Sequence, residues 1–276
     1  MAFGTYAYIL YKKESTYSLT YLLGLAIIAR IILIPSFPAL SDDIYRFYWD
    51  AWVFDNGLSP FAYYPNELQH LIQSGEIEDT FNSLNSPNYY SVYPPFLQWI
   101  FRLAYAWSSS LAGFAISLKI ITLIAEGLTF WFVYLTLKNL RISAHWIAIY
   151  ALNPLIIIEL TGNLHPESFM ICGLSLLLFG LSSLRLAISA GWGMAIAAKL
   201  QPLLLAPLVF FHALKKTNKL LAALSGVLIG GISLSSLFLH AEWMMNFIES
   251  LQLYYQTFEF NGSIYKLSRW LGYQFT

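Results

Sequence analysis

Apolar and polar positions divide this chain into long hydrophobic runs separated by short basic punctuation, with one extended polar and aromatic stretch near the start. The run 17–37 is long enough to span a bilayer core as a helix. It has no small-residue cleavage pattern before a polar mature start, so it reads as a retained span. From 38 to 88 polar and aromatic residues dominate, and 43–56 reads as an amphipathic helix lying at the membrane interface. Asn56-Gly57 and Ser59-Pro60 end it, and 66–85 predicts a short polar helix and loop. Apolar segments follow at 96–107, 114–137, 145–160, 168–184, 188–211 and 220–239. The final stretch, 241–276, is polar again, with Glu242, Glu249, Glu259 and a turn at Asn261-Gly262.

Composition sharpens this into a class. The 276 residues are 58% hydrophobic and 11% charged, with mean hydropathy +0.58; soluble domains carry roughly 25% charged residues. The expected fold is all-α: a polytopic transmembrane helix bundle forming a single domain over 1–276. Its first extracytoplasmic loop, 38–92, carries interfacial helices, and 241–276 is a C-terminal extracytoplasmic segment. The formal net charge of zero argues against a nucleic-acid partner. The single cysteine, Cys172, cannot form an internal disulfide. Aromatics gathered between 45 and 93 read as an interfacial belt, and such rings also stack on sugars.

The basic punctuation orients the segments. Lys12 and Lys13 place the N-terminal segment in the cytoplasm and Asp42 and Asp43 outside. If 96–137 makes one net crossing, Lys138, Arg141, Arg185, Lys215, Lys216 and Lys219 all become cytoplasmic. Segments 145–184 and 188–211 are then hairpins whose tips, near His165 and Lys199, approach the outer half, and 96–107 is re-entrant or interfacial. If every segment crosses once, His165 lies opposite Asp42 instead.

In so apolar a chain the charged residues are the candidate chemistry. Ser41-Asp42-Asp43-Ile44-Tyr45-Arg46 through Asp50 places three acids and an arginine at a helix start, with Asp43, Arg46 and Asp50 along one face. Ser41 is a candidate cap, and acids suit that helix end. Asn153-Pro154 and Glu159, Asn163, His165, Pro166 and Glu167 interrupt another apolar run, as a wet cavity requires. Lys199-Leu200-Gln201-Pro202 interrupts a third. Lys199 needs an anion: Glu126 or Glu159 as a structural partner, or a phosphate. Arg30 either snorkels or faces an interior anion, and Glu126 reads as a packing or partner residue. The five histidines lack metal-ligand spacing, leaving only a weak divalent-ion option at Asp42, Asp43 and Asp50. No phosphate-binding glycine loop opens a soluble βαβ unit, so a nucleotide cofactor is not expected.

The pattern resembles the membrane-embedded GT-C glycosyltransferases that use polyprenyl-phosphate sugars, most of all bacterial mannosyltransferase-like members and, more distantly, the GPI mannosyltransferase I family. Four pieces carry it in order: Ser41 to Asp50, Tyr93-Pro94-Pro95, Asn153-Pro154 with Gly162-Asn163-Leu164-His165-Pro166-Glu167, and Lys199-Leu200-Gln201-Pro202. The GPI-type motif is D-x-D followed by Tyr; aligning Tyr45 and Asp50 sets Asp42 and Ile44 at its two acids, with Asp43 one position off. The resemblance implies a hexose, mannose first, moved with inversion from a polyprenyl-phosphate donor to a glycan or glycolipid acceptor. The site faces outward from a bacterial plasma membrane. Asp42 or Asp43 is then the base, and Lys199, with Arg46 or Arg30, holds the donor phosphate. Tyr45, Asp50, Tyr93, Asn163, His165, Glu167 and Gln201 line the substrate pocket. It also implies further membrane helices beyond this chain. The competing reading is a transporter or lipid-handling subunit, with Lys199, Glu126 and Glu159 as a counter-ion network. Against it, the acids are densest in a loop and no internal repeat is visible.

Overall fold

A computed structural model of the chain describes residues 17–214, 217–238, 240–257 and 268–270. Expectations resting on Lys12, Lys13, Lys215, Lys216, Glu259 and Asn261-Gly262 lie outside these residues. The described residues form helices and connecting turns, with no strand among them. In order these are α1 (Leu19–Leu33), α2 (Asp43–Asp55), a 3-10 turn (Pro65–Leu71), α3 (Glu76–Asn82), α4 (Pro95–Trp107) and α5 (Leu111–Asn139). After a 3-10 turn (Ala144–Trp146) come α6 (Ile147–Ala151), α7 (Pro154–Ile156) running into a π-helical turn (Ile157–Gly162), α8 (Glu167–Ser182) and α9 (Arg185–Ala198). A 3-10 turn (Gln201–Leu205) leads to α10 (Ala206–Leu214), α11 (Thr217–Ser233), α12 (Ser235–Phe238) and α13 (Ala241–Thr257).

Local chemistry sets the boundaries that matter for the site. Ser18 Oγ accepts from Tyr21 N at 3.2 Å and caps α1. At the start of α2, Asp42 occupies the cap position without a side-chain bond, and Ser41 Oγ accepts from Asp43 N at 3.3 Å. Pro95 opens α4 at its first position, where its missing N–H costs nothing.

Helix α2, expected to be amphipathic, is enclosed by other elements on both sides. Ile44, Phe47, Tyr48 and Ala51 pack with Leu97, Phe101 and Ala104 of α4 and Phe114 and Leu118 of α5. Its other side buries Trp49 and Val53 with Leu68, backed by Trp52 and Phe81. Within this core Phe47 stacks on Phe101 at 4.5 Å. Helix α4 is two-faced, burying Leu97, Gln98, Phe101 and Ala104 and exposing Trp99, Leu103 and Trp107.

Helix α5, at 29 residues, is the one described helix long and apolar enough by itself to cross a membrane; it extends about 43 Å at 1.5 Å per residue. The pair Ala144–Ala151 and Pro154–Gly162 passes the same test jointly but is bent by 54° at its break. Leu19–Leu33, Glu167–Ser182, Gln201–Leu214 and Asn218–Ser233 are apolar but shorter. Helices α8 and α9 meet backbone to backbone through glycines: a Cβ on Gly191 lies 2.3 Å from Leu177 N and 2.7 Å from Gly173 O. Close approach of this kind suits helices that gain little from hydrophobic exclusion. Gly191→Ala is therefore expected to destabilise by about 1–3 kcal/mol through overpacking, read as a lower thermal midpoint in detergent.

Candidate active site

Three separated stretches converge here. The first is the start of α2. Asp43 lies half-buried in its first turn. Burial pushes its carboxyl above the usual carboxylate range and Glu167 adds to this, while His165 and hydrogen bonds to Ser41 and Asn85 oppose it. Asp42, one residue earlier, is exposed. The two acids are thus separated by environment: Asp43 faces the other stretches and Asp42 faces outward.

The second stretch is the turn between the π-helical segment and α8. Leu164 is buried with φ +61°, a left-handed conformation disfavoured for a branched residue. It lies between Asn163 and His165 in the turn that joins the two segments. Asn163 Oδ1 accepts from Leu40 N at 3.4 Å, and its Nδ2 donates to Glu159 Oε2 at 3.3 Å. His165 Nε2 lies 3.6 Å from the same Glu159 oxygen, with both side chains about a third exposed (35% and 36%). One amide therefore ties this turn to the connection three residues before Asp43.

The third stretch is the end of α9. Lys199 follows its last turn in an extended conformation, and its Nζ lies 2.5 Å from Glu167 Oε1, with side-chain exposures of 38% and 29%. The turns at His165 and Lys199 are thereby side by side. Gln201 is exposed at the start of the following 3-10 turn.

Several residues expected at the site lie in buried networks outside this convergence. Arg46 donates through Nε to Asp50 Oδ1 at 2.8 Å and through Nη1 to the carbonyls of Ser86 and Tyr89 at 3.0 Å. Asp50 Oδ2 also accepts from Ser91 Oγ at 2.5 Å and Gln98 Nε2 at 2.9 Å. This buried staple ties Ser86, Tyr89, Ser91 and Gln98 of α4 to α2, with Arg46 and Asp50 both buried inside it. Asp50→Ala strands the Arg46 charge and is expected to cost about 3–5 kcal/mol, visible as loss of the folded protein or a sharply lowered thermal midpoint.

Tyr93 packs edge-on against Phe47 at 4.8 Å and Phe101 at 5.7 Å. Tyr45 lies 6.0 Å from Phe37, toward the α1–α2 connection. Arg30, expected at the donor phosphate, is fully buried, with Nη2 2.8 Å from Glu126 Oε1. The predicted counter-ion network does not form. Glu126 pairs with Arg30, Glu159 with His165 and Lys199 with Glu167.

Sequence reasoning missed Asn85 beside Asp43, and it missed Lys119. The buried Lys119 Nζ donates to Leu33 O at 2.7 Å, Ser36 O at 2.6 Å and Ser36 Oγ at 3.0 Å, satisfying the end of α1. A lysine inside the longest apolar run was the available signal. Among the described residues, no group of three or more His, Cys, Asp or Glu side chains is placed to hold a metal ion.

The convergence of Asp43, His165, Glu167 and Lys199 lies within a stretch that a family model covers. Residues 6–243 match a family model described as alpha-(1->6)-mannopyranosyltransferase, N-terminal domain, the MptA_B family. The chain belongs to this family. It is thus a glycosyltransferase-family protein whose family chemistry concerns mannose, and all four converging residues fall inside the matched region. No curated protein and no solved structure matches the chain significantly. Family membership weighs against the transporter reading.

Proposed function

We propose that this MptA_B-family chain is a polytopic integral-membrane mannosyltransferase of GT-C type. It moves mannose, with inversion, from a polyprenyl-phosphate carrier to an acceptor hydroxyl of a glycan or glycolipid on the non-cytoplasmic face of the plasma membrane. The observation that carries the reading is the meeting of Asp43 with His165 and Glu167, the latter paired with Lys199, from three distant stretches. The acceptor O–H gives its proton to Asp43 as its oxygen attacks the sugar C1. The C1–O bond to the carrier phosphate breaks, and its electron pair leaves with the phosphate. Lys199 offsets the growing negative charge there, an electrostatic contribution made mainly in the transition state. The donor phosphate competes with Glu167 for the Lys199 ammonium, so Glu167 holds the lysine until donor arrives. His165, oriented by Glu159, lines the donor side. Inversion converts a β-linked donor into an α-linked product, in keeping with the α-(1→6) linkage in the family description.

Membrane placement draws support from the helix surfaces. Besides the apolar α5, the chain exposes Leu204 at 82%, Leu208 at 69%, Phe211 at 68% and Leu228 at 63%, and large apolar exposure of this kind suits a lipid or protein cover. The testing experiment is thiol accessibility in intact cells, with single cysteines at Ser41, Gly162 and Leu200 in a Cys172→Ser background. Labelling of all three from outside supports one outward-facing site. Labelling of Gly162→Cys from inside alone splits the site and restores the transporter reading.

A further inference from the structure

The bent segment before His165 is held by groups that the reaction does not use. Its first half ends at Ala151, whose carbonyl accepts from Arg30 Nη1 at 2.7 Å. Its second half ends in the π-helical turn, where Thr161 Oγ1 donates to Glu126 Oε2 at 2.6 Å. Arg30 Nη2 and Glu126 Oε1, 2.8 Å apart, close the link between the halves. Arg30 comes from α1, where Nη1 also donates to Ala26 O at 3.0 Å, and Glu126 comes from α5. Arg30, Glu126 and Thr161 are all fully buried.

Stability alone does not account for this arrangement. A buried ion pair recovers its desolvation cost only with full hydrogen bonding, and apolar replacements of similar volume are often as stable. Here Arg30 Nε and the neighbouring Tyr150 hydroxyl have no hydrogen-bond partner. The feature the pair does determine is local geometry. It joins two half-helices across a 54° bend, ahead of a π-helical turn and the left-handed Leu164. Deformations of these kinds collect at functional sites. Two residues after Thr161 stands Asn163, which bonds to Leu40 N on the path to Asp43; His165 and Glu167 follow.

We propose that Arg30, Glu126 and Thr161 are positioning residues, forming a buried clamp that fixes the bend of the broken helix and so sets His165 and Glu167 opposite Asp43. The proposal rests on the transferase reading for its effect on turnover, whereas the clamp itself is readable without activity. The test uses Thr161→Val, which removes the hydroxyl at constant shape, beside Thr161→Ser, which keeps it. Nitroxide labels at Trp146 and Ile158, one on each half, report the bend by pulsed electron resonance in the full chain carrying Cys172→Ser.

The expected result is a narrow distance distribution in the parent and in Thr161→Ser, and a broadened or displaced one in Thr161→Val. In the mannose-transfer assay kcat falls in Thr161→Val by about 10²-fold, the cost of a misplacement near 1 Å. KM for the lipid donor changes little, and Thr161→Ser restores kcat. Should Thr161→Val not fold, Arg30→Met with Glu126→Leu replaces the pair by apolar groups and is read in the same way. A folded variant with the parent's distance distribution overturns the proposal, whatever its activity, and a displaced bend with unchanged kcat overturns its functional half. If the parent transfers no mannose, the transferase reading fails separately, and the distances still decide the clamp.

Discussion

Asp43→Asn is expected to lower mannose transfer by about 10²–10⁴-fold, the usual contribution of a positioned base, without lowering fold stability at neutral pH. The second half of that result follows from the sign of the Asp43 perturbation. Burial raises its carboxyl above the ordinary range, with Glu167 adding to the rise. The folded state therefore holds this proton more tightly than the unfolded chain does. As pH rises from the ordinary carboxylate range through the raised folded value, stability from this group is lost, and above that value the ionised carboxylate is a fixed cost. Asparagine never ionises and avoids the cost. Thermal midpoints should show Asp43→Asn equal to or above the parent at pH 8, with the gap closing toward acid. The parent's activity should fall on its acid side at a pH above the usual Asp value. An Asp43→Asn protein that is folded and fully active removes Asp43 from the mechanism. Full activity in Asp42→Asn, by contrast, is what its outward position predicts.

Lys199→Met carries the second large effect. Removing a charge that stabilises a departing phosphate is expected to reduce kcat by about 10²–10³-fold, the scale found for lost oxyanion donors. Stability should move by no more than about 1 kcal/mol, because partly solvated pairs contribute little and both Lys199 and Glu167 are substantially open, at 38% and 29%. Lys199→Arg should recover part of the activity, since charge is kept while geometry changes. Comparing kcat with the urea midpoint for these three proteins checks the prediction. A parallel loss of both would mean that Lys199 acts through the fold.

These two residues also show what the sequence made legible. A lysine inside an apolar run and a pair of acids at its edge are costly placements, and that cost is readable without coordinates. So are the turn at Asn163 to Glu167 and the proline-punctuated ends of the half-helices. Pairing is not readable in this way. Arg30 and Glu126 are joined across 96 positions, and nothing local distinguishes Glu126 from Glu159 or Glu167 as the anion for Lys199. The fate of α2 was hidden for a different reason. Phe47, Tyr48 and Trp49 suit an interfacial belt and a packed core equally. What decides is that α4 and α5 close over one side while Leu68 and Phe81 cover the other. Once α2 is enclosed, Arg46 and Asp50 lose solvent access and pair with each other. Asp43 escapes because it sits in the first turn, where the helix emerges beside Asn85 and His165.

The most direct measurement is a donor test on the purified chain in lipid, offered labelled mannose on polyprenyl phosphate or on a nucleoside diphosphate, with a mannosidic acceptor. Transfer from the lipid-linked donor alone, abolished by Asp43→Asn and strongly reduced by Lys199→Met, is the predicted result. Transfer from the nucleotide sugar alone, or undiminished transfer by both folded variants, would contradict the account.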